Sequence, residues 1–243
     1  MIGAIDPALL DDLVAANHVL YDKGVVDGSG HVSVRHNADD RYFLMSRNVA
    51  PGQVTKDDIL VYGLDSEPVD AGQSLKHYNE RFIHGEIYRK RPDVRSVIHS
   101  HSPTVVPFSV STTPLRPIAQ VSGFLGLGVP VWDIRSVDDG YGFLVKNSRL
   151  GESLAETLAG SAVVLMRGHG STVVGKSLPQ AVWRAVYTEV NAKQQVITTL
   201  LGGAVTYLSH EEAAYAAENT PANPTRAWTL WKEVAKRRLQ KDG

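Results

Sequence analysis

Histidine residues occur at two places in the sequence where their spacing could bind a divalent metal ion. His99 and His101 are separated by one residue in segment 96–101, which is typical of a buried strand. Because alternate side chains of a strand point to the same face, both imidazoles could bind one ion. His169 follows another apolar segment, in a glycine turn where the backbone can approach a ligand closely. Three imidazole ligands with an open position would form a catalytic site, whereas a polar strand end and an ordinary glycine turn are the simpler interpretations.

Glu80 is the fourth candidate for this site. We predict that it lies on a helix that begins near Leu75 and ends before Pro92, directly ahead of the strand that carries the histidine pair. His77, Glu80 and His84 have the spacing of residues that share a helix face. A carboxylate at this place could bind the metal or move protons, although most glutamates are solvated helix charges.

The elements that would position these residues alternate between strands and helices, which favours an α/β domain. Strands are predicted at 31–35, 41–46, 59–62, 96–101, 129–132 and 162–166. Helix starts are predicted where Asp6 precedes Pro7, at Asn147, at Ser177, and where Ser209 and Glu212 have the spacing of a capping box. We expect residues 1–243 to form one domain, with a C-terminal helical extension from about residue 209.

Composition excludes several classes of function. The 243 residues include 25 Lys and Arg against 26 Asp and Glu, so there is no basic excess to bind nucleic acid or an anionic membrane. Cysteine is absent, and any metal must therefore be bound by histidines and carboxylates. No apolar run approaches the ~18 residues of a membrane span, and the N-terminal acids argue against a signal peptide. We expect a soluble, cytoplasmic protein.

Taken in order, these motifs resemble the class II aldolase/adducin family. The resemblance rests on Glu80, His84, Tyr88, the ValIleHisSerHis segment at 97–101, ArgGlyHisGly at 167–170, and the segment 28–36, which is similar to the GNxS loop and strand of the family. It implies a three-layer α/β/α fold with a central, mostly antiparallel sheet. It also implies a homo-oligomer, a tetramer with active sites between subunits, and one divalent metal ion per subunit.

The resemblance also assigns roles to individual residues. The three metal-binding histidines of the family correspond to His99, His101 and His169, and its catalytic glutamate corresponds to Glu80. Zn²⁺ would suit three imidazoles, whereas Mn²⁺ would suit a site dominated by carboxylate and substrate oxygens. Whether Glu80 is a proton shuttle or a fourth ligand stays open at this point.

The sequence departs from the sugar-phosphate aldolases of this family where they bind phosphate. Their asparagine of the GNxS motif is His31 here, and their Ser-Ser pair before the glutamate is Tyr78-Asn79. Arg47 lies in the next loop, and arginine binds carboxylates through two parallel hydrogen bonds. We therefore expect His31, Arg47 and Tyr78 to bind a planar, carboxylated ring rather than a sugar phosphate.

This pattern is similar to a branch of decarboxylases that act on hydroxylated aromatic dicarboxylates, such as 3-hydroxy-2-methylpyridine-4,5-dicarboxylate decarboxylase and 3,4-dihydroxyphthalate decarboxylase. The resemblance implies a metal-dependent, non-oxidative decarboxylase of a hydroxylated aromatic or pyridine dicarboxylate. One alternative is an aldolase that cleaves a non-phosphorylated hydroxy-acid or hydroxy-ketone, which would release an aldehyde instead of carbon dioxide. An epimerase is a third possibility. A non-enzymatic scaffold of the adducin type is disfavoured by the complete set of histidines and glutamate.

Overall fold

A seven-stranded sheet forms the centre of the computed structural model, which describes residues 3–69, 74–138, 140, 142–219 and 224–242. Its strands are β1 (His31–Arg35), β2 (Tyr42–Ser46), β3 (Ile59–Gly63), β4 (Ser96–Ser100), β5 (Val131–Trp132), β6 (Val163–Met166) and β7 (Gly170–Gly175). The spatial order is β3-β2-β1-β4-β7-β6-β5. Neighbouring strands are antiparallel except for β5 and β6, which run parallel. The expected mostly antiparallel sheet is confirmed.

Helices cover both faces of this sheet. They are α1 (Pro7–Asp22), α2 (Arg81–Lys90), α3 (Ser148–Leu158), α4 (Leu178–Leu200), α5 (His210–Glu218) and α6 (Thr225–Asp242). Successive residues of β4 show the two layers, because Val97 packs in the core under α2 and α3, whereas Ile98 packs in the core under α1, α4 and α6. The expected three-layer α/β/α architecture is therefore confirmed.

The predicted helix starts are confirmed by their capping contacts. The Asp6 side chain accepts a hydrogen bond from the Ala8 amide at 2.9 Å, and Pro7 occupies the first helical position. Asn147 caps α3 in the same way, and Ser209 forms a capping box at the start of α5. Each of these side chains satisfies an amide that the first turn of a helix leaves without a backbone partner.

The predicted start of the helix next to the candidate site is wrong. The helix α2 begins at Arg81 rather than near Leu75, so Glu80 is its N-cap residue and His77 lies before it. Segment 76–78 is instead held by the neighbouring strands and loops: the Asn48 amide donates to the Lys76 carbonyl at 2.9 Å, and the Tyr62 hydroxyl lies 2.9 Å from Nδ1 of His77. Tertiary contacts thus override the helical spacing.

The sequence pattern also failed to predict strand β7, which directly follows the turn that contains His169. This strand begins and ends with glycine, which weakens the usual signal of strand propensity. Gly168 has φ +64°, which allows the chain to reverse tightly between β6 and β7. Because β7 pairs with β4, this turn lies beside the end of β4.

No helix within the described residues is both long enough and apolar enough to cross a membrane.

Candidate metal centre

The four predicted metal-site residues lie together at one end of the central strands. His99 is in β4 and faces α2, and His101 lies just past the end of that strand. His169 lies in the β6–β7 turn, which the pairing of β7 with β4 brings next to them. Glu80 reaches the same place from the N-terminus of α2. Residues far apart in sequence thus form one cluster.

The ligand atoms of this cluster converge on a common point. The Nε2 atom of His101 lies 3.1 Å from Nε2 of His99 and 3.0 Å from Nε2 of His169. The Oε2 atom of Glu80 lies 3.5 Å from Nε2 of His99 and 3.4 Å from Nε2 of His169. All four atoms are within 4.8 Å of one another. We call these four residues the metal cluster.

The protonation of His99 suits a metal ligand. Its Nδ1 atom lies 3.1 Å from the Ser171 carbonyl oxygen, to which it donates a hydrogen bond. Burial lowers the pKa of His99 to about 3, so the ring is neutral near pH 7 and carries a single hydrogen. That hydrogen is on Nδ1, and Nε2 therefore directs a lone pair into the cluster. Three imidazole nitrogens and a carboxylate in this arrangement fit a divalent cation.

The Glu80 carboxylate is ionised although it is largely buried. Its Oε1 atom accepts a hydrogen bond from the Val145 amide at 3.0 Å. Burial alone raises the pKa of Glu80, but His99, His169 and the Val145 amide outweigh burial and lower this pKa to about 2. The Val145 contact fixes one oxygen, and Oε2 is left to bind a cation or to carry a proton.

A cavity of about 210 Å³ opens beside the metal cluster. Its lining includes Glu80, His99 and His101 of the cluster, together with His31, Asn48, Tyr78 and Asn79. The rings of His31 and Tyr78 are 4.6 Å apart between centroids, and both are almost fully buried. The Tyr78 hydroxyl donates to the Val49 carbonyl, so this side chain offers its ring rather than its hydroxyl to the cavity.

Arg47 does not line this cavity. Its Nε atom donates to Oδ1 of Asp58 at 2.7 Å, and its side chain is about two-fifths exposed. The following residue, Asn48, does reach the cavity. The structure thus brings His31 and Tyr78 to the metal cluster, and it places Arg47 one residue outside the lining.

Sequence reasoning missed several residues of this region. Asn48 and Asn79 line the cavity, and the signal for both was their position next to residues already singled out. His84, which the sequence singled out together with Glu80, lies beneath the cavity and contacts His31, whereas no local pattern indicated Ser33, its other contact.

The family assignment follows from comparison with known proteins. The model of the family described as the Class II Aldolase and Adducin N-terminal domain matches residues 11–196. This chain belongs to the class II aldolase/adducin family.

Curated relatives of this family member include several proteins named decarboxylases. The protein named Decarboxylase tropJ, from Talaromyces stipitatus, is 39% identical over 241 residues, which cover 90% of this chain and 90% of the relative. The protein named 3,4-dihydroxyphthalate decarboxylase, from Arthrobacter keyseri, is 31% identical and covers 83% of each chain.

Solved structures of similar proteins support the class II aldolase fold. An aldolase II superfamily protein from Pseudomonas syringae has a TM-score of 0.79 at 22% identity and covers 98% of this chain and 95% of that protein. The L-fuculose 1-phosphate aldolase from Glaciozyma antarctica has a TM-score of 0.77 at 21% identity, with 96% and 91% coverage. At this level of identity the likeness establishes the fold alone.

Proposed function

We propose that this class II aldolase family member is a metal-dependent carboxy-lyase that removes carbon dioxide from a hydroxylated aromatic or pyridine dicarboxylate. The observation that carries the proposal is the convergence of three imidazole nitrogens and one carboxylate beside a cavity of about 210 Å³. A cavity of roughly 150 Å³ accepts benzene, so this one has room for a single substituted ring. The names of the curated relatives, which match most of the chain, point to the same reaction.

The metal cluster would hold the ion through His99, His101 and His169, with Glu80 as either a fourth ligand or a proton carrier. A bound divalent cation would supply a Lewis acid that stabilises negative charge on an oxygen next to the breaking carbon–carbon bond. Zn²⁺ suits three imidazoles, and Mn²⁺ is the alternative when substrate oxygens complete the site.

The cavity residues would orient the ring of the substrate. His31 and Tyr78 lie next to each other in the cavity lining, with ring centroids 4.6 Å apart, and can contact a planar ring. Arg47 is our proposed anchor for the second carboxylate. Because Asp58 holds its Nε, the two terminal nitrogens are the part of the guanidinium that would bind this group.

Glu80 is the proposed proton carrier. Loss of carbon dioxide breaks a carbon–carbon bond and leaves its electron pair on the ring, so the ring carbon must receive one proton. Because Glu80 is ionised, it first accepts a proton at Oε2 from the ring hydroxyl of the substrate or from a water. It then donates this proton to the carbon that bears the carboxylate, and the ring recovers its aromaticity when carbon dioxide leaves.

We also propose that the chain forms a homotetramer and that residues 1–243 form one domain, with a helical extension from about residue 209. Light scattering on the purified protein would measure the mass of the assembly. A mass close to 26.5 kDa, that of one chain, would contradict the tetramer.

A product assay tests the proposed reaction. Protein loaded with zinc or with manganese is offered a panel of ortho-hydroxylated benzene and pyridine dicarboxylates, and carbon dioxide is followed by mass spectrometry. We expect release that a chelator abolishes. Absence of release across the panel, with aldehyde formed from hydroxy-acids, would instead support the aldolase alternative.

A further inference from the structure

A row of hydrogen-bonded side chains runs from the cavity into the layer between the sheet and α2. Nδ1 of His31 lies 2.6 Å from Nε2 of His84, and Nδ1 of His84 lies 2.6 Å from Oγ of Ser33. Oγ of Ser33 lies 2.7 Å from the hydroxyl of Tyr88. All four side chains are at most 3% exposed. We call this row the β1–α2 chain.

The periodicities of the two elements create the row. Residues 31 and 33 are on the same face of β1, whereas Val32 and Val34 point into the opposite core. His84 and Tyr88 are four residues apart on α2 and therefore lie one turn apart on the same side of this helix. A polar face of a strand thus meets a polar stripe of a helix, with solvent excluded from both.

Each contact in the row requires one donor and one acceptor, which leaves two directions for the contact between His31 and His84. Burial lowers the pKa of His84 to about 3, so its ring carries a single hydrogen, and one hydrogen lies between His84 and Nδ1 of His31. In the first direction, Tyr88 donates to Ser33, Ser33 donates to Nδ1 of His84, and Nε2 of His84 donates to Nδ1 of His31. In the second direction His31 donates to His84 and His84 donates to Ser33, and the contact between Ser33 and Tyr88 can then run either way.

The end of the row at Tyr88 decides between the two directions. In the second direction either the Tyr88 hydroxyl or the Ser33 hydroxyl would need another acceptor for its own hydrogen. Within the described residues, neither hydroxyl has an acceptor outside the row, and burial raises the pKa of Tyr88, so its hydroxyl keeps its hydrogen. A buried donor without an acceptor is costly, so the first direction is favoured.

We infer that the β1–α2 chain holds His31 in the tautomer that has its hydrogen on Nε2 and donates it into the cavity. The ring nitrogen Nδ1 accepts from His84, and Nε2 is left for the ligand. His31 therefore selects a substrate that places an oxygen acceptor, such as a carboxylate or phenolate oxygen, against this nitrogen. The assignment of that acceptor to an aromatic dicarboxylate rests on the proposed function, whereas the tautomer does not.

His99, the neighbour of His31 in the metal cluster, presents a lone pair rather than an N–H group. His31 and His99 are partners in the β1–β4 register, and their ring centroids are 5.1 Å apart. His99 directs a lone pair to the place of the metal, and His31 directs an N–H bond into the same cavity. Two adjacent histidines would thus hold a cation and an anionic oxygen side by side.

The tautomer can be measured without any substrate. Protein labelled with ¹⁵N-histidine and loaded with zinc is studied by NMR, and the His31 ring signals are identified by their loss in a His31→Gln variant. We expect a protonated Nε2 and an unprotonated Nδ1 in the wild-type protein. The opposite pattern, or an equal mixture of the two tautomers, would overturn the inference.

A matched pair of variants tests the role of the β1–α2 chain. His84→Gln keeps an N–H donor close to the position of Nε2, whereas His84→Leu removes it. We expect His84→Leu to lose the fixed tautomer of His31 and to weaken calorimetric binding of phthalate, used as an unreactive probe, by roughly tenfold or more. His84→Gln should bind phthalate within a few-fold of wild type.

Zinc stoichiometry and circular dichroism establish that both variants are folded and loaded. If His84→Leu does not fold, the wild-type tautomer alone decides the first part of the inference. If wild-type His31 has its hydrogen on Nε2 but folded His84→Leu binds phthalate as wild type does, the positioning role of the β1–α2 chain is overturned. If wild-type His31 has its hydrogen on Nε2 and His84→Leu binds phthalate more weakly, this inference stands. If the wild-type protein then releases no carbon dioxide from any substrate, only the proposed reaction is contradicted.

Discussion

Two groups of histidines lie on the same face of the central sheet and differ in how their nitrogens are arranged. In the metal cluster, Nε2 of His101 lies 3.1 Å from Nε2 of His99 and 3.0 Å from Nε2 of His169, and a carboxylate oxygen completes the group. In the β1–α2 chain, nitrogens and hydroxyls form a line, and each contact is 2.6 or 2.7 Å long.

The difference shows how the same side chain acquires two functions. Convergent lone pairs repel one another unless a cation lies between them, which makes the first group suited to a metal ion. In a line, each hydrogen satisfies the next acceptor, so the second group needs no ion and has a fixed direction instead. His31 and His99, which are cross-strand partners, are the places where the two groups touch.

The largest effect should come from removing a ligand of the metal cluster. His169→Ala removes one of the three imidazoles, and we expect loss of tightly bound metal and a fall of decarboxylation to background, because the Lewis acid is lost. Elemental analysis and carbon dioxide release measure the two quantities. His210→Ala, at an exposed position on α5, is the control. A variant at His169 with full metal content and activity would contradict the metal site.

Glu80→Gln separates the ligand role of Glu80 from its proton-carrying role. The amide oxygen can still accept the Val145 hydrogen bond, but the side chain can no longer carry a proton. We expect metal content to stay largely intact while kcat falls by about a hundredfold or more. Retention of full activity would refute the shuttle, and loss of metal together with activity would favour a fourth ligand.

Ser33→Ala interrupts the β1–α2 chain between His84 and Tyr88. It removes two hydrogen bonds and leaves buried polar atoms of His84 and Tyr88 without a partner. We expect the free energy of unfolding to fall by about 1–3 kcal/mol. Urea denaturation measures this change, with Ser136→Ala, whose hydroxyl makes an exposed hydrogen bond, as a control expected to change stability by at most ~0.5 kcal/mol. Equal effects of both variants would argue against a hydrogen-bonded row that excludes solvent.

Arg47→Ala should have the smallest effect, because this side chain lies outside the cavity lining. If Arg47 anchors the second carboxylate, KM rises by about tenfold and kcat changes little. The exposed Arg41, which is paired with Asp39, provides the control Arg41→Ala. Steady-state kinetics in which KM and kcat both match wild type would remove Arg47 from the substrate site.

The metal cluster could be predicted from the sequence because each member lies within a short local pattern. A His-x-His pair in a strand, a histidine between glycines and a glutamate ahead of the strand are all visible without tertiary information. Their meeting point was not visible, because it depends on β7, whose flanking glycines conceal the strand that brings His169 to His99.

The β1–α2 chain could not be predicted either, because it also depends on tertiary contacts. The alternation in segment 31–35 predicts a strand, and such alternation is typical of strands with one solvated face. In the structure all five residues are buried, because α2 covers the polar face. Whether a polar face is solvated or covered depends on contacts between residues about fifty positions apart, such as His31 with His84, and no local period encodes them.

A metal ion bound at the metal cluster would also stabilise the folded protein. Its ligands come from the start of α2, the end of β4 and the β6–β7 turn, so one bound ion would cross-link three segments that are distant in sequence. Such an ion binds the folded chain and has no comparable site when the chain is unfolded. Each tenfold increase in free metal above its dissociation constant would then add about 1.4 kcal/mol to the stability of the fold. The availability of the ion in its surroundings would thereby set how long the enzyme persists as well as how fast it works.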